Sequence, residues 1–271
     1  MKKRTTIAIA VILLLSLLTT SCSLLSGYND YSSYTSAFKK TFDTDSMELG
    51  TTVKASLDGG TSMTSTGTFK LKGMKSSAPQ FINVMTINGQ TVTQFCDGQT
   101  VYTDDGTEGG KNKMSIGTSN DPQPQAQKQN AEFSYDSYIS EFSSMIDAGK
   151  IKEMNTIEPI AEKYVDKITT KDVDGGKQYD VVLLPAIIDE LKDKFLNEGS
   201  SNQNSPTVDF DTITYTAIVK DGYIAQITFN FNLGITAPGD TAAQKATVEL
   251  TIKPVNPGTA VSFDLPSTDG F

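Results

Sequence analysis

Ile227-Thr228-Phe229-Asn230-Phe231-Asn232-Leu233 places a large apolar side chain at every second position, with polar residues between. A period of two belongs to an extended strand that keeps one face out of water and the other in it. Upstream, Ile213, Tyr215, Ala217 and Val219 alternate in the same way as far as Asp221-Gly222. Downstream, Val248, Leu250 and Ile252 repeat the pattern, and Val261 and Phe263 are expected to close the chain as a further strand. An Asp-Gly pair between two such runs is a hairpin signal, because tight hairpin turns need positive φ at their centre.

The first half of the chain reads the same way. Val53, Ala55 and Leu57 alternate before Asp58-Gly59-Gly60, and Met63, Phe69 and Leu71 resume the pattern within 61–72. Phe81–Ile87, Asn88-Gly89, Thr91–Cys96, Asp97-Gly98, Thr100–Thr103 and Asp104-Asp105-Gly106 continue it as an antiparallel meander. Another hairpin is expected from Tyr164–Lys171 and Lys177–Leu183 around Asp174-Gly175-Gly176.

Three segments carry a helical period instead. Tyr34, Ala37, Phe38, Thr41 and Phe42 recur at spacings of three and four, which predicts an amphipathic helix over Tyr31–Asp43 capped by Ser32 or Ser33. A second is expected from Ser134 to Ala148, closed by Gly149. A third starts at Pro185 and runs to about Asn197, with Ile187, Ile188, Leu191 and Phe195 on one face. Gly117–Ala131, with Pro122 and Pro124, and the Ser/Asn-rich stretch 198–207 read as mobile loops. Strands dominate and most have a single apolar face. The expected fold is therefore one α+β domain over residues 32–271, a large curved antiparallel sheet with helices packed in its concave face.

The N-terminus carries an address. Lys2-Lys3-Arg4 precedes an apolar run from Ile7 to Leu18, then Thr19-Thr20-Ser21-Cys22. The run is too short for the roughly 20 residues that cross a bilayer, so residues 1–21 read as a signal peptide rather than an uncleaved anchor. A cysteine at the first mature position is the bacterial lipoprotein pattern, in which the Cys22 thiol carries diacylglycerol. Thr19 stands where that pattern usually has Leu. Residues 22–31 then form a lipidated tether, whose Ser23–Tyr31 portion reaches at most roughly 30 Å when extended. The expected location is extracytoplasmic, lipid-anchored to the cell membrane.

Composition narrows the function. The formal charge of −9 becomes −12 once the three signal cations are removed, which opposes binding to nucleic acid or broad adhesion to an anionic leaflet. There is no histidine, so no Ser-His-Asp or Cys-His arrangement can be built, and the commonest zinc ligand is missing. The acidic pairs Asp104-Asp105 and Asp172/Asp174 sit beside glycines, where Asp belongs for backbone reasons, and neither completes a calcium loop. No catalytic residue, metal site or cofactor is assigned, and the chain is expected not to be an enzyme. With Cys22 acylated, Cys96 has no disulfide partner and reads as a small buried apolar residue.

The element order resembles a known family. The signal, the aromatic helix, the phrase "DGQTVYTDDG" over Asp97–Gly106 and the closing phrases "YTAIVKDGYIAQITFNF" and "VELTIKPV" are similar to the LolA/LolB and LppX group of lipid-handling lipoproteins. The likeness covers about residues 32–265 and is nearest to members anchored in Gram-positive membranes. It implies a half-open barrel of about eleven strands around helices, with an apolar cavity for acyl chains. Phe69, Leu71, Ile187, Ile188, Leu191, Phe195, Tyr215, Phe229 and Phe231 are the candidates to line it. The expected partners are the membrane, through the lipid anchor, and a lipid or other hydrophobic ligand held without chemistry. The alternative is a cell-surface interaction or sensory lipoprotein that uses the sheet as a scaffold without a ligand. The sequence names no protein partner.

Overall fold

The computed structural model describes residues 29–58, 60–87, 89–115, 159–187, 207–236 and 242–271. Helix α1 spans Asn29–Phe42. Six strands follow it: β1 Ser46–Leu57, β2 Thr61–Lys72, β3 Gln80–Ile87, β4 Gln90–Cys96, β5 Thr100–Asp104 and β6 Lys111–Ser115. The rest are β7 Val165–Val173, β8 Gly176–Leu183, β9 Thr207–Lys220, β10 Tyr223–Thr236 and β11 Gln244–Pro254. All eleven form one antiparallel sheet in the order β6-β5-β4-β3-β2-β1-β11-β10-β9-β8-β7. The sheet is open, with β6 and β7 at its two ends.

Every neighbour pair but one joins strands consecutive in the chain. The exception is β1 with β11, in register from Leu49 opposite Pro254 to Leu57 opposite Ala246. Gly89, Gly98, Gly175 and Gly222 stand at positive φ in the tight turns β3–β4, β4–β5, β7–β8 and β9–β10. Asp221 and Gly222, at φ 52° and 75°, give the β9–β10 hairpin two left-handed central residues, the geometry whose twist suits a tight hairpin.

Directly paired residues share a face, so the register maps both surfaces of the sheet. One row runs Ile168–Val181–Tyr215–Phe229–Leu250–Val53 from β7 to β1. On the same face, Met47–Leu71–Phe81–Cys96–Val101 continues from β1 to β5. Most of these side chains belong to a single hydrophobic core. The opposite face is polar. Thr169–Asp180–Thr216–Thr228–Thr251–Thr52–Thr66–Thr86–Thr91 crosses nine strands in register. Thr228 and Thr251 are joined there by a hydroxyl contact of 3.3 Å, and Thr86 and Thr91 by one of 3.2 Å. β-Branched residues with a hydroxyl suit this surface, since they favour extended backbone and still meet water. The free edges are charged, with Lys111 and Lys113 on β6 and Asp166, Lys167, Lys171 and Asp172 on β7, which discourages further strands from adding.

The structure differs from the sequence reading in four places. Helix α1 starts at Asn29 rather than Tyr31, so Ser32 and Ser33 lie inside it and residues 29–31 are not tether. Strand β6 went unread because Lys-Asn-Lys-Met-Ser has only one apolar residue. Thr207 opens β9 instead of ending a loop. Val261 and Phe263 are not in a strand: Val255–Phe271 has no strand assignment and crosses the polar side of the sheet. The signal peptide, Cys22, the segment 117–131, the helix expected over Ser134–Ala148, residues 188–197 of the third helix and the stretch 198–206 lie outside the described residues.

Phe231 is wholly buried at the centre of the apolar face. Phe231→Ala is expected to cost about 3–5 kcal/mol in urea unfolding, from lost burial and the cavity left behind. A cost under about 1 kcal/mol would contradict this packing.

Candidate functional site: the apolar face and the helix upon it

Helix α1 forms because its apolar side chains recur on one side and its ends suit the helix dipole. Asp30 lies in the first turn and Lys39 and Lys40 in the last. Tyr34, Ala37, Phe38 and Phe42 are buried, and the helix rests on β7, β9 and β10. Thr41 joins it to the sheet: its hydroxyl donates to the Ala37 carbonyl at 2.7 Å and accepts the Ile224 N–H at 2.8 Å. Both groups are buried, so this one side chain satisfies a backbone donor that would otherwise be stranded at the start of β10. Beside it, the Lys40 ammonium stands 3.9 Å from the centre of the Tyr223 ring.

The contact between helix and sheet is aromatic. The Tyr34 ring lies 6.1 Å from Tyr179 and 5.8 Å from Tyr215, and Tyr215 lies 5.4 Å from Phe229, which stacks 6.0 Å from Phe231. Tyr31 extends the chain of rings, 6.4 Å from Tyr34, and its hydroxyl donates to the Ile160 carbonyl at 2.8 Å. The Tyr34 and Tyr215 hydroxyls interact with each other, and no better-aligned partner for the Tyr215 oxygen exists among the described residues. Burial pushes both phenols well above the usual tyrosine range. Burial also raises Tyr179, with the Asp30 charge adding to the effect. The aromatic contact thus holds two wholly buried phenols, those of Tyr34 and Tyr215.

The structure brings together five of the nine cavity candidates on one face: Phe69, Leu71, Tyr215, Phe229 and Phe231. Leu71, Tyr215, Phe229 and Phe231 are buried. Phe69 is half-buried, packed against the core and 5.7 Å from Phe81. Ile187 is buried in the same core, while Ile188, Leu191 and Phe195 lie outside the described residues. Tyr179 and Phe81 belong to this face and were not among the candidates. Tyr179 sits between Gln178 and Asp180, and only its pairing opposite Ala217 reveals which way it faces. A separate recess lined by Thr41, Phe42, Met47, Leu49 and Pro254–Thr259 has about 10 Å³ of free space, room for one water and not for an acyl chain.

The other chemistry-bearing residues have local duties. Asp104 accepts the Gly106 N–H at 2.8 Å, and Asp105 accepts from the Thr107 N–H at 2.9 Å and hydroxyl at 2.6 Å. Asp97 takes the N–H groups of Gln99 and Thr100. Cys96 is buried, and burial raises its thiol. Among the described residues no group of three or more His, Cys, Asp or Glu side chains is placed to hold a metal ion.

No family model matches the chain, and no curated protein does. Solved structures similar to it include a LolA superfamily protein from Nitrosomonas europaea, at 7% identity and TM-score 0.27, over 89% of this chain and 96% of that one. A DUF1329 family protein from Desulfovibrio piger aligns at 11% identity and TM-score 0.27, over 86% and 94%. A domain from Vibrio parahaemolyticus described as an outer membrane lipoprotein-sorting protein aligns at 9% and 0.21, over 78% and 86%. At these scores no residue or activity transfers to this chain.

Two outcomes follow for the helix contact. Thr41→Val leaves the Ile224 N–H buried without its acceptor and is expected to cost about 1–3 kcal/mol in chemical unfolding; an unchanged midpoint would contradict the bridging role. Tyr34 and Tyr215 ionise near pH 10 when unfolded and well above that when folded. Their contribution is therefore complete below about pH 10 and lost as pH rises beyond it, by about 1.4 kcal/mol per unit for each phenol. Tyr34→Phe should make the alkaline loss of stability shallower, and an identical slope would refute this account of its burial.

Proposed function

We propose that this protein is an extracytoplasmic lipoprotein, anchored to the cell membrane through Cys22, that holds a lipid or other hydrophobic ligand against the apolar face of a half-open barrel. The observation that carries the reading is the breadth of that face. Two apolar rows overlapping at β1 extend in register from β7 to β5, whereas α1 rests on β7, β9 and β10. A curved sheet with helices in its concave face gives acyl chains such a surface. Burial of each methylene contributes roughly 0.8 kcal/mol, so a single long chain supplies ample affinity without any charged contact. The protein's own part is to exclude water and present aromatic and aliphatic walls. No bond is made or broken, so the role is non-enzymatic.

The acidic body fits this reading, because attachment then depends on the anchor rather than on charge. Among the described residues no helix is long and apolar enough to cross a membrane. On this reading the short tether expected before α1 keeps the ligand-holding face close to the leaflet.

A second reading has one observation in its favour. Leu71, Tyr215 and Phe231 are each at most 1% exposed, packed as a core rather than lining open space. That suits a surface interaction or sensory lipoprotein in which the sheet is a scaffold.

Native mass spectrometry of the protein extracted from its membrane distinguishes the two. A non-covalent lipid that persists on the folded protein and leaves on unfolding supports the carrier; a ligand-free mass favours the scaffold. Cys22→Ser should lose the covalent diacylglycerol and leave the membrane fraction, and a variant that stays membrane-bound would contradict the anchor.

A further inference from the structure

The margin β4–β6 differs from the rest of the sheet. Its strands hold seven, five and five residues, and among the described residues β6 is paired on one side only. On the core-facing side, the row of Leu49 and Phe69 runs on in register through Asn83, Gln94, Thr103 and Asn112, so it turns polar from β3 outward, next to the apolar row that ends at Val101. Phe95 lies on the opposite side, paired with Ile82 and Tyr102, and is still only 1% exposed. Its ring stacks on Tyr102 at 4.9 Å, and Phe271 covers both, 5.7 Å from Phe95 and 5.3 Å from Tyr102, nearly perpendicular to each. Edge-to-face contacts of this kind contribute beyond simple burial.

Phe271 comes at the end of a strap that starts at β11. The Val255 N–H bonds the Glu48 carbonyl at 2.8 Å, and the Val261 N–H bonds the Ser46 hydroxyl at 2.9 Å. Further along, Lys72 donates to the Phe263 carbonyl at 2.9 Å while its ammonium stands 4.6 Å from that ring. Lys111 and Lys113 hold the far end, donating to the main-chain oxygens of Asp269 and Phe271 at 3.1 Å each. Lys111 also lies 4.8 Å from the Phe271 ring. The strap therefore reaches β6 from the central strands without joining the strand ladder. Its far half is held by exposed lysine side chains and one seated ring, so it can leave without breaking any strand pairing.

We propose that Val255–Phe271 is a detachable latch, and that seating of Phe271 on the Phe95–Tyr102 platform holds the β4–β6 margin against the rest of the sheet. When the latch is seated, the margin has an apolar anchor on the side where its strands carry their large rings. When it is released, Phe95 and Tyr102 meet water and β4–β6 depend on short ladders and a partly polar inner row. The device is independent of any ligand and so stands apart from the carrier reading.

Native-state hydrogen exchange on the full chain and on a variant lacking residues 267–271 tests it. The deletion is expected to speed exchange of amides in Thr91–Cys96 and Thr100–Asp104 by about tenfold or more and to leave β9–β11 unchanged. A peptide of sequence Asp-Leu-Pro-Ser-Thr-Asp-Gly-Phe, matching residues 264–271, should restore protection, and the same peptide ending in Ala should not. Phe271→Ala in the otherwise intact chain should reproduce the local effect. Unchanged exchange in β4–β6, a uniform rise over all strands, failure of the deletion variant to fold, or a peptide without effect would each overturn the latch.

Discussion

The pairing of β1 with β11 is the constraint on which the rest of the structure depends. Both meanders, β1–β6 and β7–β11, are built from neighbours in sequence, and each alone would be a sheet with an additional bare edge. Their union joins Leu49–Leu57 to Ala246–Pro254 across about two hundred residues of chain. Contacts so distant in sequence form slowly, because a long loop must close before any of them is gained. Once formed, the seam makes one apolar surface out of two: Val53 meets Leu250 and Ala55 meets Val248 there, and the rows on either side become continuous. It also fixes where the strap begins, since Val255 leaves β11 beside Glu48 of β1.

The two faces of the sheet solve opposite problems. The apolar face has to leave water, and α1 covers part of it through Tyr34, Phe38 and the Thr41 hydroxyl. The threonine-rich face is stable in water and needs no cover over most of its width. It becomes apolar at Phe95 and Tyr102, and the strap arrives there with Phe271. Cover is thus placed where the rings are, on either side of the sheet.

Much of this was legible from the residues. Alternation in Ile227–Leu233 and Val248–Ile252 identified the strands, and Asp97-Gly98, Asp174-Gly175 and Asp221-Gly222 marked the turns, because local sequence controls both backbone extension and reversal. Five of the nine cavity candidates share one face for the same reason, since period two fixes direction once a strand is fixed. What escaped was non-local. Phe95, between Gln94 and Cys96, points away from the core because Gln94 and Cys96 take the inner positions, and only the distant Phe271 makes that arrangement favourable. Val261 and Phe263 carry the spacing of a strand, yet no edge is free for them beside β1 and β11. Tyr179 joins the tyrosine cluster through a pairing with Ala217 that alternation alone does not specify.

The central proposal is that one face of this sheet serves a hydrophobic ligand and the other meets water. Methyl-labelled protein titrated with a short-chain phosphatidylglycerol tests that claim directly by NMR. Inner-face methyls of Leu71, Val248 and Leu250 should shift or broaden together, while those of Val84 and Val182, on the other face and 37% and 43% exposed, stay in place. Perturbation confined to Val84 and Val182, or none at saturating lipid, would contradict it.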